Sequence, residues 1–193
     1  MKKIINEIEN FEPINEQEAN DKKIILDYIR KNNNVLLREN EIAHITSSGF
    51  IMNKNLDKVL MVYHNIYKSW SWTGGHADGE ADLLNVALKE AKEETGISEV
   101  FPQSKKIISI DILPVLAHYK KGKYVSCHLH LSIAYLLIAC EDQQLKVKED
   151  ENSAVKWIDI KDLDNQVSEE DMIIVYHKII KKAHHIVKGN ISH

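Results

Sequence analysis

The sequence predicts an α/β fold in which a central mixed sheet is covered by helices on both faces. Three observations carry that expectation. Five segments rich in β-branched and aromatic residues read as strands, one helical segment from Asp82 to Thr95 interrupts them, and amphipathic helices stand towards both ends. At the front, Asn15 followed by Glu18 resembles a capping box, and Ala19, Ile25, Tyr28 and Ile29 recur near helical spacing until the Asn32-Asn33-Asn34 break. The strands are HITSSGFIMN, KVLMVYH, KIISIDILPVLAHY, YVSCHLHLSIAYLLIAC and AVKWIDI. The closing helix is expected to be capped around Ser168 and Asp171, to carry Met172, Tyr176, Ile179, Ile180, Ala183 and Val187 as one stripe, and to end at Gly189. Seven glycines, three prolines and no repeat leave no flexible linker. One core domain is therefore expected over residues 41–193, with residues 1–40 as a helical extension packed on it.

Composition narrows the function. With 193 residues and 44% hydrophobic content the chain can bury a substantial core. Acids outnumber bases 29 to 25, a net charge of -4, which argues against general attraction to nucleic acid or an anionic membrane and favours a small-molecule partner. The basic run HKIIKKAHHIVK reads as the polar face of the closing helix. Two cysteines, Cys127 and Cys140, lack the spacing of a disulfide framework or a metal finger. No apolar run approaches the ~20 residues of a membrane span, and MKKIINEIENFE has too short an apolar stretch for a signal peptide. A cytoplasmic location is the expectation.

The chemistry concentrates between Gly74 and Ile97. Glu90, Glu93 and Glu94 fall at i, i+3 and i+4 and share one helix face, with Leu84, Ala87, Leu88 and Ala91 on the adjacent face. Like charges at i,i+4 destabilise an isolated helix by roughly 0.2–0.5 kcal/mol per pair, so either interspersed lysines or a bound cation should compensate. Gly74-Gly75 precedes the helix and Gly96 is placed to stop it. Carboxylates with a loop carbonyl make an oxygen-only donor set, which suits Mg2+, with Mn2+ as its substitute, and through it phosphoryl or diphosphate cleavage.

Residues Gly75 to Ile97 resemble the Nudix box, G-x5-E-x7-R-E-U-x-E-E-x-G-U with U a bulky aliphatic residue. Glu90, Glu93, Glu94, Gly96 and Ile97 fall in register. The match departs at two places. Lys89 stands at the arginine position and cannot make a planar bidentate pair with a carboxylate. Ala81 stands at the first glutamate position while Glu80 sits one residue early, within expected reach of Lys89. The resemblance implies a Nudix-type α/β/α sandwich and Mg-dependent hydrolysis of a nucleoside diphosphate derivative. It also implies metal ligands at Glu90, Glu93, Glu94 and the Gly74 carbonyl, and counts Lys89 with the catalytic residues. Members of the family often place a further acid before the last strand, as base or extra metal ligand. Of Glu149, Asp150 and Glu151 the spacing of six to Trp157, as in many members, favours Glu151 among the catalytic residues, against the plainer reading of a solvated acidic loop.

Other residues are weighed against plainer roles. His128 and His130 alternate on a strand and face one way, as a metal pair would, but no third ligand is evident; they read as strand histidines, with His130 a candidate substrate contact. His76 and Asp78 are either phosphate contacts or turn formers. Trp70 and Trp72 are expected on opposite faces of a strand end, with Trp72 lining the site and its neighbour anchoring the loop. Cys127 is expected to be buried and inert. The extension is available to cap the site or to join a homodimer. Two rival functions remain: an enzyme like the isopentenyl diphosphate isomerases, using a cysteine and a glutamate, and a non-catalytic nucleotide sensor.

Overall fold

The computed structural model describes residues 1–120 and 122–190. Its centre is β1 (Ala43–Met52), a strand whose ten residues are all buried. Ile45 and Ile51 face one core, Phe50 and Met52 the other, as the two-residue strand period requires. Along one edge β1 pairs in parallel with β9 (His128–Ala139). Along the other it pairs antiparallel, first with β4 (Thr73–His76) and then with β2 (Lys58–His64). The strands β3 (Ser69–Ser71) and β10 (Asn152–Asp159) join β2, while β5 (Val100–Pro102) and β6 (Ser109–Val115) join β9, completing an eight-stranded mixed sheet. A separate hairpin pairs β7 (His118–Lys120) with β8 (Lys123–Val125). The two longest predicted strands are thus each broken once, at Leu116-Ala117 and at Ser126-Cys127, and the short β5 was not anticipated.

Helices cover both faces. On one lie α1 (Lys2–Glu9), α2 (Glu16–Lys31) and α3 (Leu83–Thr95), sharing a core with Ile45, Ile51, Ile133 and Leu137. On the other lies α5 (Glu170–Asn190), reached through a 3-10 turn at Ile160–Asp162 and the short α4 (Leu163–Gln166). The α5 stripe is as read: Tyr176, Ile179 and Ala183 are fully buried, and Met172 packs at its edge. Each such side chain contributes about 1.5–3 kcal/mol when large and aliphatic or aromatic. The helix does not stop at Gly189 but runs on to Asn190, and the Val187 side chain lies outside those described. Among the described residues no helix is long and apolar enough to cross a membrane.

The N-terminal segment is joined to the rest by apolar and ionic contacts. Ile4 and Ile8, one turn apart on the unpredicted α1, are both fully buried. At the start of α2 the Asn15 side chain accepts from the Glu18 N–H at 2.9 Å, but Glu18 reaches back to the N–H of Ile14 rather than of Asn15. Its carboxylate also takes Lys182 at 2.6 and 2.8 Å, while Lys178 binds Asp111 of β6 at 2.5 Å. Buried charges are costly unless paired and hydrogen-bonded, and here both acids and both lysines have partners.

Candidate active site and a histidine cluster

Burial of Leu83, Ala87 and Ala91 fixes how α3 is rotated on the sheet. Asp82 caps its start by accepting from the Asn85 N–H at 3.1 Å, and Gly96 ends it with φ 76°. A side chain at Gly96 would also collide with Lys146, whose Cβ stands 2.6 Å from the position of the added carbon. With the helix held this way, Glu90 and Glu94 turn towards β4 and Glu93 stays at the solvent edge. Gly75 makes room, because a Cβ there would stand 2.7 Å from Cδ and Oε1 of Glu90. Gly74 lies equally close to β1, its own missing Cβ falling 2.9 Å from the Ser47 carbonyl oxygen.

Glu94 is the most constrained of the three. It is 5% exposed, and its Oε2 is buried without a hydrogen-bond partner. Burial and then the charges of Glu90 and Glu151 push its carboxyl well above the ordinary range, opposed by Lys148 and the Gly74 N–H. In extended backbone the N–H and C=O of one residue point the same way, so the Gly74 carbonyl lies on the side its N–H presents to Glu94. Burial likewise raises Glu90, with Lys148 opposing and Glu93 adding to the shift. An orphaned carboxylate oxygen beside further carboxylates and a backbone carbonyl is a donor set that fits a hard divalent cation.

Glu151 belongs to the same neighbourhood. Lys148 binds it at 2.9 Å and stands 3.8 Å from Glu93, bridging the loop before β10 to the helix; Lys120 approaches Glu151 at 4.0 Å. Burial works against the Lys148 charge, but the Glu151 hydrogen bond and the Glu151, Glu90 and Glu94 charges raise its pKa on balance. The sequence reading missed Lys148, although its i,i+3 offset to Glu151 was visible. Lys89 is largely solvent-exposed and lies 3.8 Å from Glu93. Glu80 does not turn to Lys89: it accepts from the Asp82 N–H at 2.7 Å and helps to cap α3. The early glutamate therefore serves the helix start. Asp78 and Gly79, with φ of 45° and 90°, form the tight turn closed by the Glu80 N–H on the Ala77 carbonyl at 2.8 Å. Asp78 is held there by both arms of Arg38, with Nε to Oδ1 at 2.7 Å.

Three residues are placed otherwise than expected. Trp72 is buried, edge-to-face with Tyr176 at 5.6 Å, and packs in the α5-side core rather than lining the site. Trp70 joins the same side, as residues two apart on extended chain must, with Lys156 over its ring at 4.3 Å. Cys127 is exposed, its sulfur accepting from the Ala117 N–H at 3.2 Å. A groove of about 1270 Å3 between the N-terminal segment and α5, lined by Phe11, Ile107, Ile180 and Lys181 among others, includes none of the acidic residues of α3.

His76 and His130 meet where the sequence showed no reason for it. Parallel pairing sets His44 of β1 opposite His130 of β9, and β4 brings His76 alongside, so that His44, His76, His128 and His130 converge. Burial lowers His76 to about 3 and His130 to about 2, and lowers His44 as well. All three are neutral at neutral pH. His44 was not a candidate, because nothing local to residue 44 distinguishes it; only the strand order does.

A family model described as the NUDIX domain matches residues 43–180. Nucleoside diphosphate-linked moiety X motif 6 of Homo sapiens is 25% identical over 118 residues, covering 60% of this chain and 34% of that protein. The Xenopus laevis protein of the same name is 27% identical over 118 residues, covering 60% and 50%. The chain thus spans a third to a half of the length of these relatives. Among solved structures, a NUDIX-family hydrolase from Clostridium perfringens has TM-score 0.51 at 22% identity, covering 72% of this chain and 96% of that one. The dihydroneopterin triphosphate pyrophosphohydrolase of E. coli has TM-score 0.53 at 16% identity, covering 70% and 94%. At these identities the likeness is one of fold, and it agrees with the predicted helix-flanked mixed sheet.

Proposed function

Since the chain belongs to the Nudix family, we propose that it is a pyrophosphohydrolase that cleaves a diphosphate linkage in a nucleoside diphosphate derivative. One observation carries the reading: Glu94, buried with an unpartnered oxygen, is pressed against the charges of Glu90 and Glu151. Such an arrangement costs stability unless a cation compensates it. Glu90, Glu93, Glu94 and the Gly74 carbonyl would hold Mg2+, or Mn2+ in its place. When bound, the cation neutralises diphosphate charge and makes a water easier to deprotonate.

The chain's own groups do the rest. Glu151 accepts the proton of the attacking water, a role worth about 10² to 10⁴ in rate. As the water oxygen bonds to phosphorus, the bond from phosphorus to the bridging oxygen breaks, and the leaving phosphate carries the electron pair. Lys148 shares itself between Glu93 and Glu151 and sets a positive charge beside both. Lys89 supports Glu93 from the solvent side. His76, two residues from Gly74 on β4, stays neutral and supports the position of that strand. Residues 1–40 act as a buttress for the face that carries α3, an inference supported by Ile4, Ile8 and Ile25 in the same core as Ala87. The net charge supports a small-molecule partner over nucleic acid, and free Cys127 and Cys140 are compatible with the reducing cytoplasm.

The test is a screen of nucleoside triphosphates, sugar nucleotides, dinucleoside polyphosphates, NADH and CoA with Mg2+ or Mn2+, with products identified. Cleavage within a diphosphate linkage of at least one class is expected. Binding of a nucleotide without turnover of any would make the chain a sensor instead, and isomerisation of isopentenyl diphosphate without phosphate release would replace hydrolysis by the isomerase reading.

A further inference from the structure

We propose that His44, His76, His128 and His130 form a tetrahedral zinc site that ties β1, β4 and β9 together, separate from the carboxylates of α3. Each residue offers one ligand atom, and the four atoms lie within 4.8 Å of one another. Nε2 of His128 and Nε2 of His130 are 3.3 Å apart. Zinc–imidazole bonds of about 2.0–2.1 Å imply a tetrahedral edge of about 3.3–3.4 Å. One edge therefore already has the length that zinc would set, and none of the others exceeds 4.8 Å.

Hydrogen bonding also orients the rings as ligands. His44 directs Nδ1 at the Asn40 carbonyl, 3.0 Å away, and His128 directs Nδ1 at the Ser126 carbonyl, 2.8 Å away. A carbonyl only accepts, so both Nδ1 atoms carry the proton and both Nε2 atoms present lone pairs. Fixing one ring nitrogen on a backbone carbonyl is the usual way a protein orients a ligating histidine. His44 is 4% exposed, and its Nε2 is buried without a partner. A metal-free stack would leave that lone pair desolvated at a cost, which a shared cation removes.

An all-nitrogen set suits zinc and discriminates against Mg2+, so the two cation sites differ in donor chemistry. Four protein ligands leave no open position, which makes the zinc structural. His76 stands two residues from Gly74 on β4, and fixing it fixes the strand against which α3 sets its glutamates. The proposal uses no carboxylate and stands independently of the hydrolase reading.

Equilibrium dialysis against Zn2+ in excess Mg2+, with metal content measured by mass spectrometry, tests it on wild type, His128→Gln and Glu94→Gln. Circular dichroism monitors folding, and Co2+ substitution of the wild type provides a spectrum that needs no variant. We expect one retained zinc in wild type and in Glu94→Gln, at least tenfold weaker binding in His128→Gln, and an intense visible Co2+ band of tetrahedral type. Zinc binding equal in wild type and His128→Gln, loss of the metal in Glu94→Gln, or a weak octahedral Co2+ spectrum would each overturn it.

Discussion

Two groups of ionisable residues meet the same short strand, and they differ in how they are assembled. Around Gly74 and Gly75 of β4 the carboxylates come mostly from a single helix, with Glu151 added by a loop. Around His76 the imidazoles come from three strands far apart in sequence. Burial raises the pKa of Glu90 and Glu94 and lowers that of His44, His76 and His130, so these members of both groups are driven towards neutrality by the same desolvation. The comparison teaches that a site carried on one helical turn is legible in sequence spacing, whereas a site carried on sheet order is not.

The largest effect should come from the acidic group. Glu93→Gln and Glu94→Gln are expected to lower kcat/KM by ~10²-fold or more, beyond the 10–100-fold typical of outer ligand partners, as steady-state kinetics with verified folding will show. Glu151→Gln should lower kcat by about 10²-fold, the lower end of the range for a general base. Gly75→Ala should cost about tenfold in activity and in Mg2+ affinity by displacing Glu90, whose Oε1 lies 2.7 Å from the added carbon.

Smaller effects separate the two groups by sign. Glu94 has a raised folded pKa, so its contribution to metal-free stability is present below the ordinary carboxylate pKa and is lost as pH rises through the folded value. His76 and His130 have depressed values, so their contribution is present above about 6.5 and is lost as pH falls towards about 3 and 2. Thermal melts in chelator should therefore show Glu94→Gln gaining stability on the alkaline side, at ~2–4 °C per kcal/mol for a chain of this size. His130→Gln should weaken the dependence on the acid side. The smallest effect is expected at Glu80→Gln. Its exposed carboxylate serves the Asp82 N–H, and turnover should stay within about twofold of wild type, with stability within ~0.5 kcal/mol.

Much of the fold could be read before the structure. The helical segment from Asp82 to Thr95 and its Gly96 stop were legible from periodicity and the glycine, and β2 coincides with its predicted segment, because these are local properties. α1 escaped because eight residues give too few turns for a periodic signal. Gly189 failed as a stop because glycine is tolerated within a helix at a cost of about 1 kcal/mol. Of the site, the acidic face and the two glycines were legible. The buried state of Trp72, the partner of Glu80 and the approach of His44 to His130 were not, since each depends on pairing across the sheet.

The central claim is that the carboxylates of α3, set against Gly74 and Gly75, are where the catalytic cation binds. The most direct measurement is a titration of metal-stripped protein with Mn2+ followed by electron paramagnetic resonance, with Mg2+ as competitor, comparing wild type with Glu94→Gln. The account predicts a Mn2+ site in wild type that Mg2+ displaces, and at least tenfold weaker Mn2+ binding in folded Glu94→Gln. Equal Mn2+ affinity in the two proteins, or Mn2+ that Mg2+ does not displace, would contradict it.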